Sequence, residues 1–152
     1  MPLSPQFSYG LLQLLFQGVS SNTTNIAVNS TLGTNASLWL SLHTAAPSSN
    51  TQSTSEAAYT GYTRVSIVRG SSAGAFTATQ ATSAGATSSI SPNATISFPA
   101  ATAGSETETY FGIGLSSAGA GTLMLSGSIS PTLSVANGVT PQLTTGTSIT
   151  FA

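Results

Sequence analysis

The spacing of hydrophobic residues changes once along this chain, from a helical period to a strand period. Ser4-Pro5 has the form of a helix opening, with Ser as N-cap and Pro at the first helical position. Phe7, Leu11 and Leu15 then share a stripe with Leu12 and Phe16 beside it, and Gly18 offers a stop. The spacing predicts one amphipathic helix of about three turns, weakened by Gly10. Residues 19 to 37 read as a polar connector, with Ile26-Ala27-Val28 as its one strand-like piece. From Leu38 onward the period is two. Leu38, Leu40 and Leu42 point one way, and Trp39, Ser41 and His43 the other. Further strands are expected at Arg64–Val68, Ala94–Phe98, Thr109–Leu115, Thr122–Ile129, Leu133–Val135 and Ser148–Phe151. Turn-rich stretches separate them, among them Pro47 to Ser55, Gly119–Gly121 and Asn137-Gly138. Residues 70 to 89 are mostly small, with Phe76 as the one large anchor, and predict no element.

This pattern predicts a mainly β fold: an antiparallel β-sandwich of Ig-like or jelly-roll type, preceded by one short N-terminal amphipathic helix. Helices do not alternate with strands, so a parallel α/β fold is excluded. The expected division is an arm of helix and connector over residues 1–37 and a sandwich domain over 38–152. The expected core is Leu40, Leu42, Val65, Ile67, Ile96, Phe98, Phe111, Ile113, Leu123 and Leu125.

Composition changes how the surface of such a fold must behave. Among 152 residues only Glu56, Arg64, Arg69, Glu106 and Glu108 carry formal charge, and the net charge is -1. With 27 Ser and 24 Thr, the surface is polar but neutral. Such a surface has little charge repulsion to keep copies apart, which suits a protein packed against its own copies or a scaffold. Two Arg make no basic stripe, which argues against a nucleic-acid partner. No apolar run is long enough to span a membrane. Leu11–Phe16 could pass for the apolar part of a signal peptide but lacks the basic residues that normally precede one.

The candidate chemistry is thin. With no Cys, no Asp and a single His, a metal site would need His43 and at least two of three scattered Glu to converge, and none is expected. No Gly-x-Ser-x-Gly elbow accompanies His43, whose expected role is a structural hydrogen bond. Gly112-Ile113-Gly114 lies inside a strand and is followed by no helix. A bulge or close strand packing is expected there rather than a nucleotide loop. Glu106 and Glu108 alternate on one short stretch and read as a solvated strand edge. Glu56 is the acid nearest to Arg64, so a Glu56–Arg64 salt bridge is expected, although an acidic patch on a partner could serve either Arg instead. No catalytic residue and no cofactor are expected.

Several pieces in a fixed order carry a resemblance. They are Leu38-Trp39-Leu40-Ser41-Leu42-His43-Thr44-Ala45-Ala46-Pro47; Glu56 followed by Tyr59-Thr60-Gly61-Tyr62-Thr63-Arg64-Val65; Ile96-Ser97-Phe98-Pro99; Phe111-Gly112-Ile113-Gly114; and Gly121–Gly127. Across residues 38 to 151 the chain resembles small virion proteins of tailed bacteriophages, described as minor tail, tail-fibre-like or decoration proteins. Where related chains often carry Asp, this one has Ala46 and Ser116-Ser117, which weakens any cation-binding role.

The resemblance implies a non-enzymatic β-sandwich present in many copies on a virion assembled in the bacterial host. A capsid decoration or cement protein bound to the major capsid protein is the first expectation. A tail, neck or fibre component is the second. The third is a glycan-binding adhesin, with Trp39, Tyr59, Tyr62 and Tyr110 as a stacking platform. Expected partners are other virion proteins and copies of the chain itself, with no nucleic acid and no membrane. The helix could close the end of the chain's own core or dock onto a neighbouring subunit; in the second case Phe7, Leu11, Leu12, Leu15 and Phe16 are the expected intersubunit contact.

Overall fold

The structure, a computed structural model, describes residues 4–17, 37–47, 50–69, 76–83, 86 and 88–150. Residues 19 to 36 of the expected connector and the stop at Gly18 lie outside them. In chain order the elements are α1 (Pro5–Leu12), continued by a π-helical turn (Gln13–Gln17), then β1 (Leu38–His43), β2 (Val65–Ile67), β3 (Phe76–Thr79), β4 (Ser89–Pro92), β5 (Ile96–Ser97), β6 (Glu106–Gly114), β7 (Leu123–Val135), β8 (Gln142–Leu143) and β9 (Ile149–Thr150). The fold is mainly β, the described strand pairs are antiparallel, and one helix stands at the N-terminal end. No helix of the described residues is long and apolar enough to cross a membrane.

Two compact units divide the chain. One gathers residues 1–36, 68–95 and 144–152; the other gathers 37–67 and 96–143. Residues 68–95 and 144–152 thus gather with the residues of the helix.

In the helical unit, Ser4 caps α1 by accepting from the Phe7 amide at 3.3 Å, and Pro5 occupies the first turn. The inward face is Ser8, Gly10, Leu12 and Phe16. The stripe read from the sequence thus lies mostly to one side: Phe7 is exposed, and Leu11 and Leu15 are half-buried. Phe16 meets Phe76 at 5.0 Å between ring centroids, a geometry in which aromatic pairs attract beyond their buried area. Gln17 donates to the Phe76 carbonyl at 3.0 Å, and Ser88 Oγ to the Pro5 carbonyl at 2.7 Å. β3, β4 and β9 form a three-stranded sheet in that order. β3 and β4 lie partly in the stretch from which no element is predicted. Phe76 and Ile90, both buried, give these short strands their apolar anchors.

The second unit carries a sheet in the order β2-β1-β6-β7 and the two-stranded β5-β8. Register places Leu40 opposite Val65 and Ile113, Leu42 opposite Phe111, and Ile113 opposite Leu125. Leu40, Leu42, Ile67, Phe98, Phe111 and Ile113 are buried as expected, each contributing about 1.5–3 kcal/mol by leaving water. Val65, Ile96, Leu123 and Leu125 are only half-buried. A register shift between Ile113 and Gly114 brings Leu123 opposite Gly114, onto the face of Trp39, Ser41 and His43, away from Leu125. Leu115, expected on the face of Phe111 and Ile113, lies past the end of β6 and is 56% exposed. β7 joins two strands that read separately in the sequence; its residues 129–132 lie at a second shift, between Glu108 and Tyr110 on β6.

Candidate functional site

The residues able to do chemistry gather in the second unit, around the segment from Gln52 to Arg64. Gly61 has φ +99, a conformation that side chains resist, and it closes the turn in which the Tyr62 amide donates to the Tyr59 carbonyl. That turn sends Tyr62 and Arg64 back toward Glu56. Arg64 Nε lies 2.6 Å from Glu56 Oε1, and its Nη2 lies 2.7 Å from Oε2, a two-pronged ion pair. Nη1 donates to the Ser116 carbonyl at 2.9 Å, and Nη2 also to the Gly119 carbonyl at 2.6 Å. Tyr62 donates its hydroxyl to Glu56 at 2.9 Å and accepts from the Leu42 amide at 3.1 Å. The hydrogen bonds to Glu56, opposed by partial burial, raise the Arg64 pKa. Burial drives the Tyr62 phenol well above its ordinary range. An open depression beside this cluster is lined by Tyr62, Thr63, Arg64, Ser117 and Gly119. The guanidinium there is already engaged by a carboxylate and two carbonyls, so the depression is poorly equipped to take an anion.

His43 and Ser41 sit together on β1. Ser41 Oγ is 2.9 Å from His43 Nε2, and His43 Nδ1 is 2.9 Å from the Thr54 carbonyl. A proton on Nδ1 satisfies that carbonyl and leaves Nε2 to accept from Ser41. Desolvation lowers the His43 pKa and favours the neutral ring. The pair has the connectivity of a nucleophile and its base, but both residues are fully buried, leaving no room for a substrate. Gly112 explains the packing: a Cβ there would lie 2.6 Å from His43 Nε2 and 2.7 Å from Ser41 Oγ. Gly114 is bare because the Gln52 side chain occupies the space beside it. Gln52, buried, donates to the Trp39 carbonyl at 3.2 Å and accepts from the Ser116 amide at 3.1 Å, tying the β6–β7 hairpin to β1. The sequence reading missed Gln52. Its only sequence signal is a long amide in a stretch of small turn residues.

Glu106 and Glu108 do not form a solvated edge. Glu106 Oε1 accepts from the Ala58 amide at 2.9 Å and the Tyr59 amide at 2.8 Å. Glu108 is 0% exposed. Arg69, in the helical unit, donates to the carbonyls of Leu15 at 2.7 Å and Leu14 at 2.5 Å. These are last-turn carbonyls, where a cation also complements the helix dipole. Of the apolar residues expected to contact a neighbouring subunit, Leu12 and Phe16 are buried within the chain, whereas Phe7 is 37% exposed. Of the four aromatics considered for a glycan platform, Tyr59 is buried and bonded through its hydroxyl to the Pro99 carbonyl. Tyr62 packs between Tyr59 and Phe98. Among the described residues no three His, Cys, Asp or Glu side chains come together as a metal site.

Residues 17–150 match the family described as Podophage GP4 fiber I protein gp80. No curated protein matches the chain. The chain belongs to the gp80 family, a family of structural proteins of the tailed-phage virion. The match begins earlier than the resemblance read from residue 38, so the whole of the polar connector belongs to the shared part of the chain.

Proposed function

From that membership we propose that the protein is a non-enzymatic component of the virion's fibre or tail, built to hold a shape and present neutral contact surfaces. The observation that carries the reading is the family match over residues 17–150, whose description names a fiber protein. It moves the preference from capsid decoration, the first expectation from sequence, to the tail or fibre alternative. The geometry agrees with a structural role. Ser41 and His43 are sealed in the sheet, Arg64 is engaged by Glu56 and two carbonyls, and Arg69 by helix carbonyls. Burial of Tyr59 and the packing of Tyr62 weigh against the glycan platform.

Other virion proteins are the partners, and the contact offered to them is uncharged. Phe7, Leu11 and Leu15 serve as the apolar part of that contact, since the inward face of the helix uses Ser8, Leu12 and Phe16. Residues 1–37 are then more than a detachable arm, because the π-helical turn that continues α1 also packs against Phe76 and accepts from Arg69. The test is stoichiometry. Quantitative mass spectrometry of purified particles should give few copies of the chain per particle. A count on the scale of the major capsid protein would restore the decoration reading and reject this one.

A further inference from the structure

Glu108 is the one buried acid whose surroundings the fold does not explain. It lies on β6 opposite Leu133 of β7, fully enclosed. As a carboxylate, neither of its oxygens has a hydrogen-bond partner among the described residues. A buried ionised carboxylate without donors is strongly disfavoured, so the group must either hold a proton or find a cation. Two residues away along the strand, on the same face, is Glu106. Its Oε1 is committed to the amides of Ala58 and Tyr59. A hydrogen bond with Glu106, which requires a proton on one of the two carboxyls, is among the causes that raise the Glu108 pKa.

We infer that Glu106 and Glu108 share one proton in the folded chain, and that losing it loosens the backbone at Ala58 and Tyr59. The assignment of roles follows from the donors. Glu106 is the ionised member, because two amide N–H groups point at it and favour its charge. Glu108 is the neutral member, because nothing there stabilises a charge, and its O–H has the Glu106 carboxylate as acceptor. The other titratable groups around the pair do not change this. Tyr59, on the facing segment, has its phenol raised to about 12 by burial first and then by the two acids, so it stays neutral. His43, at the end of β1, takes its charge effects from Glu56 and Arg64. Leu133 and Val135 of β7, opposite the two acids, are uncharged.

Burial, reinforced by Glu106, pushes the Glu108 carboxyl up to about 8 from the usual 4.5. Below the usual value both folded and unfolded chains hold the proton, and the stabilisation is complete. Between 4.5 and about 8 the unfolded chain releases the proton while the folded chain keeps it, so stability falls as pH rises. Above about 8 Glu108 ionises in the folded chain as well. It then repels Glu106, and the hold of Glu106 on the two amides weakens.

The chain has three Glu and no Asp, which makes the test direct. Carbon-detected NMR of the full chain should show three side-chain carboxyl signals. One should titrate near pH 8 and disappear in Glu108→Gln. Over that titration, amide exchange at Ala58 and Tyr59 should accelerate beyond the intrinsic base-catalysed rise in the wild type, and not in Glu108→Gln. The wild-type titration needs no variant, so it stands even if Glu108→Gln folds poorly. Three carboxyls all titrating in the ordinary acidic range would overturn the inference, as would amide protection that ignores the titration. Restoration of protection at high pH by added calcium would also overturn it, showing a cation where a proton is assigned.

Discussion

The chain has two arginines, one in each compact unit, and the two units answer the same electrostatic problem differently. In the strand unit, Arg64 is buried and meets a carboxylate, Glu56, with both prongs of the guanidinium. In the helical unit, Arg69 is half-buried and bonds to the carbonyls of Leu14 and Leu15 instead. In the first case a full opposite charge balances desolvation. In the second, the partial negative charge at a helix end suffices because the group keeps some solvent. The lesson for a chain with five charges is that burial decides which cation takes the scarce carboxylate.

Substitutions should separate the two cases, and the largest effect belongs to the buried pair. Arg64→Met leaves Glu56 without its cation and unties the loop at Ser116 and Gly119. A loss of about 3–5 kcal/mol in urea unfolding is expected, because a buried charge stripped of its partner keeps its desolvation penalty. Next is Gly112→Ala in the same unit. Its methyl would press on His43 and Ser41, and the expected cost is about 1–3 kcal/mol of overpacking. Arg69→Met should cost about 1–2 kcal/mol, the range for a helix-end cation and its charged hydrogen bonds. Its amide-exchange signature should fall on α1 and the π-helical turn, while that of Arg64→Met falls on Glu56–Val65 and the 116–119 loop. Equal losses from the two Met variants would erase the contrast drawn between the units. The smallest effect on stability is expected from Phe7→Ser, within about 0.5 kcal/mol for an exposed side chain. That variant should still fold and should enter particles poorly, as judged by its amount in purified virions.

The same contrast shows what the sequence could reveal. β1 and β6 were legible because large apolar residues alternate there with small or polar ones, and that spacing fixes which face turns inward. The start of α1 was legible because Ser4-Pro5 is a local signal. β3 and β4 were not, since runs of Ala, Ser, Thr and Gly carry no period; their order depends on Phe76 and Ile90 meeting other parts of the chain. The inward face of the helix was not legible for a related reason. Ser8 and Gly10 point inward because they are small and allow close approach, whereas hydrophobic ranking favours Phe7, Leu11 and Leu15. At the site, the Glu56-to-Arg64 spacing and the paired glycines were visible signals. Gln52 and the carbonyl partners of Arg69 were not, because backbone acceptors and long amides carry no pattern. The shift at Gly114 that turns Leu123 to the His43 face was equally silent in the alternation of β7.

The central claim, a structural protein of the fibre or tail, has one direct measurement. Antibodies raised to this chain and carrying gold should be imaged on intact particles by electron microscopy. The account predicts label confined to the tail and its fibres, with the head shell bare. Label spread evenly over the head would contradict it.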